Sequence, residues 1–327
     1  MSRTRIIARA NAISWGERAA AQLHHDWLAR VWTSEAEGAL LLTDDGEMVR
    51  IVPHTIGDGD FYLVLDADAP PLQRLIPRGT YAWRVGNELW IGDSLTVRLP
   101  ESPPWSGALD WRAFDTPPDV LARRLAWLGD ALLARAPEGS FAGLLPELLA
   151  EQPMPDRADL PRDVRLFRWR AARVLRGLMP ALQNGDMRTV ETLTNRAAGL
   201  GPGSPPAGDH FLMGLIAGLR LWPAVIEASG LRVEPVLKRM IAGAAERTSL
   251  LGWMLLNDAL NHVYAEPWHH LAALLREPPD ARPPDEQREA LMALLQAWLK
   301  RPDALASSGL AGFLLPFLWD QRHGEAE

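Results

Sequence analysis

No cysteine occurs in the 327 residues. Disulfides, thiolate metal ligands and a thiol nucleophile are therefore excluded. Long hydrophobic runs are missing too. A membrane-spanning helix needs about 20 apolar residues, and the most apolar stretch, residues 211–222, is shorter, carries Arg220 and stops at Pro223. Positive charge is in deficit: 34 Lys and Arg stand against 41 Asp and Glu, a net charge of -7. Nucleic acid is a poor partner for such a chain, because phosphate binding needs a net basic face. An anionic metabolite would need a local positive pocket against that background. Residues 1–7 are basic but hold no apolar core of signal-peptide length. The expectation is a soluble, cytoplasmic protein with no membrane segment. What the chain has in quantity is tryptophan, 14 residues against 3 tyrosines. Trp buries much area and is enriched at interface hot spots, so most should be core pieces or subunit anchors.

The first third reads as β. Residues 14–24 are expected as a short helix and residues 27–32 as a strand. Ala39-Leu40-Leu41-Leu42 and Met48-Val49-Arg50-Ile51-Val52 flank Thr43-Asp44-Asp45-Gly46, a hairpin whose Asp-Gly step tolerates positive φ. Residues 61–65 form another strand. Three β-rich runs, 81–85, 88–91 and 94–99, are separated by Gly86-Asn87 and Gly92-Asp93, which makes a meander. Residues 1–100 are thus a small β domain, a sandwich or a partly open barrel. Residues 101–118 are a proline-rich linker by composition.

From residue 119 the period becomes helical. Val120, Leu121, Leu125, Leu128 and Leu132 share one face of a helix over 119–134. Further helical segments are expected at 141–149, 164–178 (with Pro180 kinking or restarting it), 186–198 (capped by Asp186 and closed by Gly199), 209–222, 234–246, 250–264, 268–275, 285–299 and 308–318. Residues 323–327 are a charged tail. The fold class is α+β: a β domain, then an all-α domain over 119–327.

The organising stretch is Gly199-Leu200-Gly201-Pro202-Gly203-Ser204-Pro205-Pro206-Ala207-Gly208-Asp209-His210. It joins one helix to a second with almost no polar face. A Rossmann fingerprint fails because Ser204 sits where the third glycine belongs and the preceding element is helical. A Walker loop fails for want of lysine. Gly201 and Gly203 still allow close backbone approach to a ligand, and the following helix N-terminus offers N–H groups to an anion. Pro202, Pro205 and Pro206 remove donors and stiffen the path. The bland alternative is a tight connection with Asp209 or Ser204 as N-cap. Gly214 and Gly218, four apart on one face, each cost about 1 kcal/mol against alanine inside a helix. Close packing of a neighbouring helix is the expected reason.

This run resembles the signature of a bacterial domain-of-unknown-function family that includes the third subunit of the oxamate carbamoyltransferase of allantoin catabolism. There it reads G-L-G-P-G-L-T-P-S-G-D-D-F-L-x-G. The likeness rests on Gly199, Gly201, Pro202, Gly203, Pro206, Gly208, Asp209, Phe211 and Gly214. Pro205, Ala207 and His210 stand where the family has Thr, Ser and Asp. A family Thr-Thr-x-x-Ser helix start is similar to Arg247-Thr248-Ser249-Leu250. A late Ser-Ser-Gly-x-Asp turn is similar to Ser307-Ser308-Gly309-Leu310, without the aspartate. The resemblance implies a subunit of a carbamoyltransferase-type complex, with other protein subunits as partners and a small anionic metabolite as ligand. Gly199, Gly201, Gly203, Ser204, Gly208, Asp209 and His210 are the candidate ligand-binding residues. Arg168, Arg173, Thr248, Ser249, Ser307, Ser308 and Gly309 are secondary ones. The alternative is a scaffold or regulatory subunit, or an anion-binding protein, that has lost the polar residues.

Other clusters carry less. His262, His269 and His270, with Glu266 and Asp258, are zinc-binding residue types without the H-E-x-x-H order, and Pro267 breaks their phasing. Neither a metal nor a cofactor is expected, and His24-His25-Asp26 is uninformative. Arg165, Arg168, Arg170, Arg173 and Arg176 crowd one helix. They form a solvated face, a phosphate or carboxylate clamp, or a contact for an acidic partner. No serine sits in a G-x-S-x-G elbow.

Overall fold

The computed structural model describes residues 8–24, 27–35, 38–69, 71–150, 152, 157–300 and 305–323. Residues 1–7, His25-Asp26 and most of the charged tail lie outside that set. The chain forms two compact units. One is Met1–Leu109 with Val263–His269, and the other is Asp110–His262 with His270–Glu327.

The first unit is a closed barrel. Its strands are β1 (Ala8–Trp15), β2 (Leu28–Glu35), β3 (Gly38–Leu42), β4 (Met48–Pro53), β5 (Tyr62–Leu65), β6 (Tyr81–Val85), β7 (Glu88–Ile91) and β8 (Leu95–Arg98). They run in the order β1-β5-β4-β3-β2-β6-β7-β8 around the barrel. The β3–β4 hairpin and the β6–β7–β8 meander fall where the turn residues put them. Closure comes from β1, which pairs antiparallel with β5 and parallel with β8. Of the two architectures expected, sandwich or barrel, the structure takes the barrel, and closes it.

β1 replaces the first part of the helix expected at 14–24, leaving only α1 (Glu17–Gln22). Its sequence, Ala-Arg-Ala-Asn-Ala-Ile-Ser-Trp, has little β-branched character. It alternates all the same: Ala10 and Ala12 turn into the barrel core while Arg9, Asn11 and Ile13 face out. Small inward residues are what a filled barrel interior requires beside Leu41, Ile51, Leu63 and Leu89. A short helix, α2 (Leu72–Leu75), contributes Leu72 to the same core.

The second unit is helical: α3 (Pro118–Arg135), α4 (Leu145–Leu149), α5 (Arg162–Gln183), α6 (Met187–Ala197), α7 (Ala207–Leu221), α8 (Ala224–Glu227), α9 (Val233–Ile241), α10 (Leu250–Leu260), the part of α11 (Glu266–Arg276) from His270 on, α12 (Pro284–Leu299) and α13 (Leu305–His323). α+β is therefore the observed class. Helix α5 is continuous through Pro180 to Gln183, so of the two outcomes expected there, a kink or a restart, the restart does not occur. α9 stops at Ile241 rather than 246, and α10 at Leu260 rather than 264. The chain then turns through a short 3-10 helix at Ala244–Glu246 in the first case and a positive φ at His262 in the second.

α7 is the axis of this unit. Every residue from Ala207 to Arg220 except His210 is buried. α13 lies along it at the distance set by glycine: a Cβ on Gly214 would collide with the Gly309 carbonyl, one on Gly218 with the Phe313 carbonyl, and one on Gly312 with the Phe211 carbonyl. The expected helix neighbour of Gly214 and Gly218 is thus α13, and the propensity lost at the glycines is offset by backbone-to-backbone packing.

Buried cations pin the unit. Arg220, its side chain fully buried, meets both Glu234 carboxylate oxygens at 2.9 Å and donates to the Ala259 and Leu260 carbonyls at 2.6 and 2.8 Å. It thereby places a positive charge on the C-terminus of α10. Arg124 donates to the Leu275 and Glu277 carbonyls and to Gln287 Oε1. Among the described residues no helix is long and apolar enough to cross a membrane.

Candidate functional site

Asp186 begins the local build. Its side chain accepts from the Thr189 N–H at 3.1 Å and starts α6 as an N-cap. α6 ends at Ala197, and Gly199 takes the left-handed conformation, φ 72°, that only glycine adopts without strain. Space at Gly199 is equally closed, since a Cβ would run into the Arg247 carbonyl. The Gly-Pro loop then folds back on itself, with the Ser204–Pro205 peptide in cis. The Ala207 and Gly208 N–H groups donate to the Pro202 and Leu200 carbonyls at 2.9 and 2.8 Å. Asp209 and His210 N–H both donate to the Pro206 carbonyl. The first-turn donors of α7 are in this way used by the loop that precedes them.

Asp209 is fully buried. One carboxylate oxygen accepts from the Gly199 N–H at 3.0 Å, and the other accepts from the Thr248 hydroxyl. Burial pushes the carboxyl above its ordinary value, and the bonds from Thr248 and Gly199 pull against that shift. A single side chain thus ties the end of α6, the start of α7 and the lead-in to α10. Ser249 caps α10 by accepting from the Gly252 N–H at 3.1 Å. Gly252 leaves the room that Asp209 and Thr248 occupy, since a Cβ there would overlap both side-chain oxygens.

The structure brings Gly199, Asp209, Thr248 and Ser249 together, and Gly208 fits under Ala197, whose carbonyl a Cβ would strike. Gly201 and Gly203 are exposed on the loop, while Ser204 and His210 are half-buried. Ser307, Ser308 and Gly309 sit further along α7, at the start of α13. Both serines are buried, and Ser308 Oγ accepts from the Phe141 N–H at 3.2 Å. Phe141 stacks on Phe211 of α7, ring centroids 4.5 Å apart.

The arginines divide. Arg168 is buried and binds Glu138 at 2.6 Å, Glu147 at 3.3 Å and the Gly143 carbonyl at 3.0 Å. Arg173 is exposed, its guanidinium 5.0 Å from the Trp169 ring centroid. The histidines take separate partners: His269 Nε2 lies 3.2 Å from the Tyr264 carbonyl oxygen, and His262 Nδ1 lies 3.6 Å from Asp110. Among the described residues no group of three or more His, Asp or Glu could hold a metal ion. Sequence reasoning missed Gly252. The signal was present: a glycine in the first turn of an apolar helix needs the same compensation as Gly214.

Against this geometry stands one family match. Residues 197–296 match the family model described as oxamate carbamoyltransferase subunit AllH. This segment, about a third of the chain, runs from the end of α6 into α12, and the family is the one that the Gly199–Gly214 run resembles. α5 and Ser307-Ser308-Gly309 lie outside it. No curated protein and no solved structure matches the chain.

Proposed function

We propose that this chain is a subunit of a carbamoyltransferase-type complex, one that moves a carbamoyl group between phosphate and an amide nitrogen. The observation that carries the proposal is the Asp209–Thr248–Gly199 junction lying inside the segment that matches the carbamoyltransferase subunit family. Carbamoyl transfer develops negative charge on oxygen and calls for N–H donors and cations preset around it. In this reading Asp209 is the positioning residue. It ties Gly199, at the start of the loop that exposes Gly201 and Gly203, to Thr248 before the α10 N-terminus, and the exposed Arg247 supplies positive charge. Gly201, Gly203, Ser204 and Ser249 form the anion edge, and its ligand is a small phosphate or carboxylate.

A second reading has its own observation. Asp209 spends both oxygens internally, and Pro205, Ala207 and His210 replace polar family positions, which favours a scaffold that supports a partner's site. Thermal unfolding of the purified chain with carbamoyl phosphate, phosphate or oxamate separates the two. A ligand at a hundredfold excess over its Kd stabilises by about 2.7 kcal/mol. The anion-site reading expects a rise in melting temperature that Ser249→Ala and Gly203→Ala diminish. A flat response both alone and in the assembled complex would leave the scaffold.

A further inference from the structure

α5 turns its apolar face inward. Phe167, Ala171, Val174, Leu175, Leu178 and Met179 are all buried. Its outward face is unlike an ordinary solvated one. Leu166 and Trp169, three residues apart, are 46% and 55% exposed. Around them stand exposed Arg162, Arg165, Arg170, Arg173 and Arg176, with Asp163 the one acid on the helix. Solvation accounts for arginines on a helix surface but gives no reason for an exposed indole beside an exposed leucine. Trp and Arg are the residues enriched at interface hot spots, where an apolar centre lies inside a polar rim. Arg173 lies against the Trp169 ring, so the cationic rim and the apolar centre are contiguous.

Charge identifies the occupant. A strongly cationic face on a chain of net charge -7 is a local inversion, and it complements an acidic surface. Arginine rather than lysine suits bidentate contact with carboxylates. A second copy is disfavoured, because an isologous contact would set these arginines against themselves. A lipid surface is disfavoured too, because an interfacial helix buries its apolar face in the membrane and that of α5 is in the core.

We infer that the outward face of α5, centred on Leu166 and Trp169, docks an acidic polypeptide surface. That this polypeptide is another subunit of the carbamoyltransferase-type complex rests on the function proposed above; the docking face does not.

Two arms test it with the full chain. In the first, fluorescence anisotropy follows binding of labelled poly-L-glutamate to wild type, Arg165→Glu/Arg173→Glu and Trp169→Ala. All three sites are exposed, and melting curves verify folding. Arg165→Gln/Arg173→Gln serves if the reversal misfolds. The expected result is at least tenfold weaker binding by the reversal and several-fold weaker binding by Trp169→Ala. Equal binding by all three, or tighter binding of duplex DNA or phosphatidylglycerol vesicles through the same residues, overturns the proposal. In the second arm, the chain and its variants are co-produced with the other subunits of the complex and analysed by size-exclusion chromatography. Assembly that the reversal weakens tenfold or more supports both readings. Assembly indifferent to the α5 variants leaves the subunit reading and removes α5 as the face that meets those subunits, and equal binding of poly-L-glutamate by all three chains then removes the docking face itself. No assembly, together with α5-dependent binding of poly-L-glutamate, removes the subunit reading and leaves the docking face. Failure of both arms removes both.

Discussion

Glycine does two different jobs in the helical unit. In the loop after α6, Gly199 has a positive φ and stands where its neighbour's carbonyl leaves no room for a side chain. Along the α7–α13 contact, Gly214 and Gly312 are ordinary helical residues, and only space demands them. The first use bends the chain; the second lets two backbones touch. The lesson is that a glycine inside a helix is read from what faces it, and a glycine after a helix from its own dihedral angle.

The comparison breaks most visibly at the helix contact. Gly312→Ala or Gly214→Ala places a methyl group against a backbone carbonyl that no rotamer change can clear. Against about 1 kcal/mol gained in helix propensity, overpacking should cost about 3 kcal/mol or more. A unit of this size should then melt roughly 5–10 °C lower, by calorimetry. An unchanged melting temperature would mean that α13 can slide, and that space is not what these glycines supply.

Asp209 sharpens the loop side of the comparison. Its carboxyl binds a proton more tightly folded than unfolded. Stability from this group therefore falls as pH rises from the ordinary aspartate value through the raised one, by about 1.4 kcal/mol for each unit between them. Asp209→Asn stays neutral and should have a flatter stability profile across that window in urea titrations, converging with wild type at acid pH. Asp110 behaves in the opposite sense. The Arg112 guanidinium holds its carboxyl at about 2, so its contribution is present at neutral pH and fades as pH falls through the acid range. Should Asp209→Asn prove much less stable than wild type at pH 7, the bonds from Gly199 and Thr248 outweigh burial.

Gly46, in the β3–β4 turn, isolates the dihedral. Its φ is 86° and nothing lies within 4 Å of where a Cβ would be. Gly46→Ala should cost only about 1 kcal/mol, the left-handed penalty alone. A larger loss would show that space matters there as well.

Much of this architecture was legible without coordinates, and for a local reason. Asp45-Gly46, Gly86-Asn87 and Gly92-Asp93 mark turns between alternating runs, and β3, β4 and β6–β8 lie where those marks put them. Asp186 and Gly199 bracket α6 by their own chemistry. At the candidate site, Gly199 and Asp209 stood out by loop composition, and Thr248 and Ser249 by likeness to a family pattern. β1 was not legible: alanines carry no strand signal until a barrel interior needs small residues. Arg168 was not legible either. Its helical phase puts it with buried Ala171, Ala172 and Leu175, but nothing near it in sequence announces Glu138 and Glu147, the carboxylates that receive it.

Composition, turn residues and helical period were enough to determine an α+β chain with a Gly-Pro junction before an apolar helix, because each depends on a few adjacent residues. Closure of the barrel by β1 and β8, the meeting of Asp209 with Thr248, and the pairing of Arg168 with Glu138 and Glu147 were decided by tertiary structure. Each depends on which distant backbone or charge arrives opposite, and a local pattern carries no record of that.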